Sequence, residues 1–390
     1  MSSLTWIDFD EAERQRAQRI LALFQERETR DELGLGGIRD SIANHLFPGT
    51  STIQTRPRYM LFVPWLFRRL EGRATTTAQL VVDGRRLETA LMESLLAGGE
   101  TIGVIGREAG SRLKRLPSSV YWAGLGSWGI RRFQGSIDSL FETLVGRDRL
   151  LRGSGAALSD AQPHMLWHPR MPDPPGDLLD GATFDLTADE AEFLVDCLVA
   201  KHPAALLTLL AREGDDAECD FIWMHPHLSS FPERTRWLVR HGEMFSGLMH
   251  GASLLYNLAL SELRQHEEWI GVYRELLEDW SVGLDIPAIR DWRLEDFWED
   301  VRHPAHVVLP AARSFVREWR DLALSQPTQI VDSAAARRLV EERERRLKGS
   351  QSRFTNQAVR DRWTGASGVV RLNFRWNRGE AYLQDLAHAA

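Results

Sequence analysis

Apolar residues recur every three or four positions through most of this chain, and no other feature constrains its fold as tightly: that period draws a stripe along one face of a helix and along neither face of a strand. Ala17, Ile20, Leu21 and Phe24 keep it behind Asp8 and Asp10, which can cap a helix running to Gln25. Thr75, Thr76 and Thr77 open a second helix with its stripe at Leu80, Leu87, Leu91 and Leu95, and Gly98 and Gly99 close it. A third stripe runs through Val308, Ala312, Phe315, Trp319 and Leu322. Residues 244–263 are apolar on nearly every side, as a central buried helix would be. Shorter helices are expected around 38–45, 107–114 and 136–145, and a charged one over 333–348. Strand-type alternation is confined to 221–223 and to 368–374, where Val370, Leu372 and Phe374 fall on one side. The chain is therefore expected to be mostly α, with at most a few short strands.

At 390 residues it exceeds the size at which a single core keeps growing, so two domains are expected. Residues 153–183 mark the break, because Gly153, Gly155, Pro163, Pro169, Pro172, Pro174 and Pro175 suit neither a helix nor a central strand. Thr187 and Glu190 then have the spacing of a capping box, the start of a second helical domain. The expected order is an N-terminal helical domain over 1–152, a Pro/Gly-rich linker over 153–183, a second helical domain over 184–330 and a basic segment over 331–390. Fourteen tryptophans supply large apolar anchors whose indole N–H groups need partners. Cys197 and Cys219 are the only cysteines, too few for a disulfide framework and consistent with a reducing compartment. The first residues lack a basic stretch followed by a long apolar one, and the apolar run 59–67 is too short to cross a bilayer. A cytoplasmic protein with no membrane partner is expected.

A net charge of −7 argues against a protein that coats nucleic acid all over, but the distribution is uneven. Between Arg170 and Lys201 there is no basic residue, while Asp173, Asp177, Asp180, Asp185, Asp189, Glu190, Glu192 and Asp196 all fall there. From 343 to 378 arginines dominate. A helix over 38–45, the turn 48–51 and a second helix from Thr52 or Pro57 have helix-turn-helix spacing, an element that would span 38–70. Thr52, Gln54, Arg56 and Arg58 would then stand at the start of the second helix, with Arg68 and Arg69 at its end. Near the C-terminus Arg353, Asn356, Arg360, Arg362, Arg371 and Arg375 interleave with Trp363, Phe374 and Trp376, a pattern suited to tracking a phosphate backbone and stacking bases. The alternative is that these arginines pair with the acidic segment 173–196 of the same chain.

Enzyme signatures are weak. GLGSWG at 124–129 has the letters of a dinucleotide fingerprint, but no strand–helix alternation surrounds it and no acid follows near twenty positions on, so a turn between helices is the better reading. His225 and His227 stand close together, with Cys219, His241, His250, His303 and His306 as further candidate ligands, but neither CxxC nor HExxH accompanies them, and no metal or other cofactor is assigned. Asp215, Asp216, Glu218 and Asp220 could hold a hard cation or form a solvated loop. Cys197 lies on an apolar helical face, where a thiol is a small buried hydrophobe, and Ser127 lacks the setting of a nucleophile elbow. Glu295, Asp296, Glu299 and Asp300 read equally well as paired carboxylates or as one exposed acidic face. No catalytic residue is assigned.

The segments WIDFD at 6–10, RDELGLGGIRD at 30–40, the stretch 49–69, LPSSVYW at 116–122 and GASG at 365–368 together resemble a bacterial family of unknown function of about this length. Members of that family are met in gene clusters resembling anti-phage defence systems, beside helicase-like and nuclease-like proteins. The resemblance supplies no catalytic residue. With the basic elements it implies a non-catalytic, nucleic-acid-associated adaptor subunit whose partners are other proteins of the same system and DNA or RNA. A protein–protein scaffold without nucleic acid contact, self-association as a homo-oligomer, and a metal-dependent hydrolase remain as alternatives.

Overall fold

A computed structural model of the chain describes residues 31–73, 75–110, 113–154 and 166–389. It is mostly α. In chain order the helices are α1 (Gly36–Leu46), α2 (Tyr59–Arg68), α3 (Thr77–Ala97), α4 (Pro117–Ser127), α5 (Ile137–Ser154), α6 (Ala188–Lys201), α7 (Leu206–Glu213) and α8 (Glu233–Leu263). They continue with α9 (Glu267–Gly283), α10 (Ile286–Asp291), α11 (Leu294–Asp300), α12 (Pro310–Ser325), α13 (Ala334–Lys348), α14 (Gln357–Arg360) and α15 (Trp376–Ala387). Among the described residues there is no sheet, only the isolated bridges Arg131↔Trp167 and His303↔His306. The helix expected to run from Asp8 to Gln25 lies outside the described residues, as do 155–165 of the proline-rich stretch. Residues 222–224 form a 3-10 turn and 368–374 are irregular, so neither alternating segment becomes a strand. Nor is 107–110 α-helical: Gly103, Gly106 and Gly110 all take positive φ and turn the chain instead.

The chain divides into two compact units. One comprises residues up to Ile42 together with Phe231–Phe374; the other comprises Ala43–Ser230 together with Arg375–Ala390. The division falls inside α1, and the described parts of the expected linker, 153–154 at the end of α5 and the irregular 166–183, lie within the second unit.

The first unit is built on α8, whose 31 residues are buried along most of their length. Its core partners meet it through tryptophan. The indole N–H of Trp280 on α9 donates to the Gly247 carbonyl at 2.8 Å, and that of Trp319 on α12 to the Leu248 carbonyl at 2.8 Å. Gly251 is what lets α9 approach, because a Cβ there would sit 2.3 Å from the Trp280 ring. Asn257 of α8 receives Ser367 N–H at 2.9 Å and donates to the Ser367 carbonyl at 2.9 Å, and Tyr273 donates to the Gly365 carbonyl at 2.6 Å. These bonds settle the GASG segment as a pinned loop.

In the second unit α2 is the buried centre, with every residue from Tyr59 to Phe67 inaccessible. Pro64 in its interior costs about 3 kcal/mol through a missing N–H and a ring clash. Met60, Leu61, Phe62, Val63, Trp65, Leu66 and Phe67 each gain about 1.5–3 kcal/mol by burial, so packing wins several-fold. The capping box at the start of α6 is present: Thr187 Oγ1 accepts Glu190 N–H at 3.3 Å and Glu190 accepts Thr187 N–H at 3.2 Å. GLGSWG ends α4 rather than linking two helices, and Gly124 is required there because a Cβ would lie 2.5 Å from the Gly49 carbonyl.

Candidate acidic cleft

Residues 48–58, which enter α2, are irregular rather than helical. The reason is a buried polar network. Gln54 accepts Ser51 N–H at 3.1 Å and Tyr382 O–H at 3.1 Å, and it donates to the Gly49 carbonyl at 3.1 Å. Tyr121 Oη accepts Thr55 N–H at 2.8 Å and Arg56 N–H at 3.0 Å. Residues 51–56 are held in this network outside any helix, so of the two expected starts the one near Pro57 is met, α2 beginning at Tyr59.

Arg56 leaves this segment and is clamped by Asp385 of α15, with Nε and Nη2 each 2.6 Å from a carboxylate oxygen. The guanidinium also lies over the Phe184 ring, 4.9 Å from its centroid. Burial works against the Arg56 charge, but Asp385, with Glu100 and Asp185 behind it, holds the guanidinium above its ordinary value. Asp385 in turn stands above the usual carboxylate range through burial, which Arg56 only partly offsets and to which Glu100 and Asp185 add. An excess of carboxylate surrounds this pair. It borders a cleft of about 360 Å³ whose wall also carries Asp185, Leu186, Asp216, Glu218, Gln384 and His388. Gln384 donates to Glu218 at 2.9 Å, and His388 Nδ1 lies 3.9 Å from Asp216. Such a wall can receive an ammonium or guanidinium group and would repel phosphate.

The acidic loop that carries Asp216 and Glu218 begins with Asp215. His227 Nδ1 lies 2.7 Å from Asp215 Oδ2, and buried His225 presents Nε2 at 3.7 Å from Asp215 Oδ1. Partial burial would raise Asp215, yet the His227 hydrogen bond, the Ala217 N–H and His225 hold it below its ordinary value. His225 is lowered, chiefly by burial, so its ring is neutral at pH 7. Cys197 is pushed up to about 12 and Cys219 to about 11, burial leading in both, which leaves neither thiol reactive.

A family model matches residues 1–390. The chain belongs to DUF6361, a family of unknown function. No curated protein and no solved structure matches it significantly. No helix among the described residues is long and apolar enough to cross a membrane.

In this member of DUF6361 the residues foreseen for nucleic acid fall into both units. Thr52, Gln54, Arg56, Arg58, Arg68, Arg69 and Arg375 belong to the second; Arg353, Asn356, Arg360, Arg362 and Arg371 belong to the first. Gln54 is in the buried network above. Arg58 is buried, pairs with Glu190 at 2.9 Å and donates to the Thr183 carbonyl at 2.9 Å. Arg68 lies 3.7 Å from Asp173. Arg375 donates to Asn44 at 2.6 Å and to the Thr50 carbonyl at 2.7 Å. In the first unit Arg353 is buried against Glu32 at 3.0 Å and donates to Ser367 Oγ at 2.8 Å. Asn356 caps α14, and Arg360 donates to the Arg353 carbonyl at 2.8 Å. Arg371 is half-buried and lowered by that burial, with Glu243 opposing. Thr52, Arg69 and Arg362 are exposed. The cleft residues contributed by α15 and its C-cap, Gln384, Asp385 and His388, carry no motif and were not foreseen; of the rest, Arg56, Asp185 and the acids 215–220 drew notice in the sequence.

Proposed function

We propose that this protein is a non-catalytic adaptor subunit of a multi-protein bacterial system, working through protein contacts, and that the acidic cleft receives a basic segment of its partner. The observation that carries the reading is how charge is allocated. Arg56, Arg58 and Arg353 are committed to carboxylates of their own chain, whereas Asp185 and Glu218 at the cleft face solvent. Phosphate recognition needs the reverse. The gene-cluster association that goes with the family resemblance supports anti-phage defence as the setting and the cytoplasm as the location.

The test is capture of partners from the native host with nuclease-treated extract, comparing the wild-type chain with Glu218→Lys and Asp185→Lys. A partner that survives nuclease and is lost with either reversal bears the reading out; a partner retained by both reversals removes the cleft from it. Nucleic acid contact is the second reading, favoured by the exposure of Arg69 and Arg362. Fluorescence anisotropy of labelled DNA and RNA across salt decides it. That reading requires binding whose salt slope flattens by roughly one unit when Arg362→Glu removes a phosphate contact.

A further inference from the structure

We propose that Asp215, His225 and His227 form a binding site for a first-row divalent transition ion such as Zn²⁺. One ligand atom from each residue, a carboxylate oxygen and two imidazole nitrogens, lies within 4.8 Å of the others. Atoms up to 4.8 Å apart lie up to about 2.8 Å from the centre of their triangle, so with metal–nitrogen and metal–oxygen bonds of about 2.0–2.2 Å the ligands close on the ion by at most about 0.6–0.8 Å. The sequence hides this set. His225 and His227 are two apart, but the third ligand stands ten residues earlier, where no metal motif would place it.

The surroundings suit the ion. Asp215 and His225 have little access to solvent, their side chains 9% and 0% exposed, so both ligands are held by packing. His227 is 60% exposed and leaves an open side for entry and for water in the remaining coordination positions. Two nitrogens and one carboxylate select zinc, cobalt or nickel over magnesium and calcium, which take oxygen ligands.

Proton positions must change on loading. His225 Nδ1 accepts the His227 backbone N–H at 3.2 Å, so the neutral ring carries its proton on Nε2, facing Asp215. His227 Nδ1 stands 2.7 Å from Asp215 Oδ2, hydrogen-bonded to it. The ion takes the place of both protons, and each ring keeps one on its other nitrogen, Nε2 in His227 and Nδ1 in His225, where the His227 backbone N–H can no longer donate and must turn away. One long backbone hydrogen bond is exchanged for two metal–nitrogen bonds, and the carboxylate keeps an electrostatic partner throughout. Loading would tie the loop that carries Asp216 and Glu218 to the 225–227 turn. The site stands independently of the adaptor reading, since its test uses the ion alone.

The test uses the full-length chain without a polyhistidine tag, stripped with a chelator and titrated with Zn²⁺ by calorimetry and with Co²⁺ by visible absorption. One ion per chain is expected, with ligand-field bands of a low-coordinate Co²⁺ site. His227→Ala should weaken binding more than about tenfold, since even the residues supporting a ligand cost that much. Glu278→Gln, at an exposed acid of the first unit, should bind as wild type does. Should His227→Ala fail to melt cooperatively, Asp215→Asn carries the same expectation. Absence of stoichiometric Zn²⁺ binding, wild-type affinity in the ligand variant, or Mg²⁺ binding tighter than Zn²⁺ would overturn the proposal.

Discussion

The Glu88 carboxylate is buried on α3 and receives two hydrogen bonds from Ser118 at the first turn of α4, from the N–H at 2.7 Å and from the hydroxyl at 2.8 Å. Burial still raises it to about 7, ahead of what Ser118 and Arg85 return. A carboxyl whose folded value lies above its unfolded value favours folding while protonated. Its contribution is complete below about pH 4.5, declines as pH rises, and is gone above about 7, a swing of roughly 3 kcal/mol. Glu88→Gln keeps both contacts, with the amide oxygen accepting the N–H and the amide nitrogen donating to the hydroxyl. The variant should therefore gain stability over wild type as pH rises from 5 to 8, by about 1–3 kcal/mol at the upper end. Urea melts of both proteins at the two pH values read this directly, and a constant difference would refute it. His250 acts at the acid end. Burial, with Arg371 adding, lowers it to about 4, while its Nε2 is bonded to the Val369 carbonyl at 3.0 Å. Here the neutral ring is preferred in the fold, so its contribution is present above about pH 6.5 and is lost as pH falls towards 4.

At the scale of elements, helix contacts in the first unit depend on which glycines touch something. Gly251 of α8 lies against the Trp280 ring, with the closest approach for an added Cβ at 2.3 Å, whereas Gly271 of α9 has nothing within 4 Å. Both are helical, so alanine should help equally by propensity, about 0.5–1 kcal/mol. Overpacking reverses the sign at the first site. Gly251→Ala should destabilise by about 1–3 kcal/mol and Gly271→Ala should stabilise by up to about 1 kcal/mol, as thermal melts can show. Much that depends on local spacing was readable in the sequence: α3 with its Thr76 cap, the stripe of α12, the apolar α8 and the capping box of α6; the alternation over 221–223 and 368–374 and the helix expected from 107 were misread. The destinations of the charges were not. Arg58 meets Glu190 across 132 residues, Arg56 meets Asp385 across 329, and no periodicity announces such pairs. The cleft depends on the second of them. The turn read at GLGSWG is present only at its end, where Gly129 takes positive φ; Gly124 lies within α4 and answers to a close approach by the Gly49 carbonyl.

For the molecule as a whole, the second unit is discontinuous in sequence, because its main body runs from Ala43 to Ser230 and its last helix comes from the C-terminus. That helix is not an appendage. Trp376 is buried and its indole donates to the Cys219 carbonyl at 2.7 Å; Gly379 lies so close to Phe47 that a Cβ would sit 2.7 Å from the ring; Tyr382 closes the Gln54 network. Trp376, Tyr382 and Leu383 are all buried, at about 1.5–3 kcal/mol each. Their sum is comparable to the entire stability of a typical domain, about 5–15 kcal/mol. Removing 375–390 should therefore unfold the second unit while sparing the first, whose described residues end at Phe374. Limited proteolysis mapped by mass spectrometry should show new cuts within 43–230 of the truncated chain and continued protection of 231–374. The Arg56 clamp would go as well, because Asp385 is removed, so the truncated chain should also lose any partner held at the cleft. A truncated chain that resists protease over 43–230 as the full chain does would mean that the helix only decorates this unit, and the cleft would then have to be rebuilt without it.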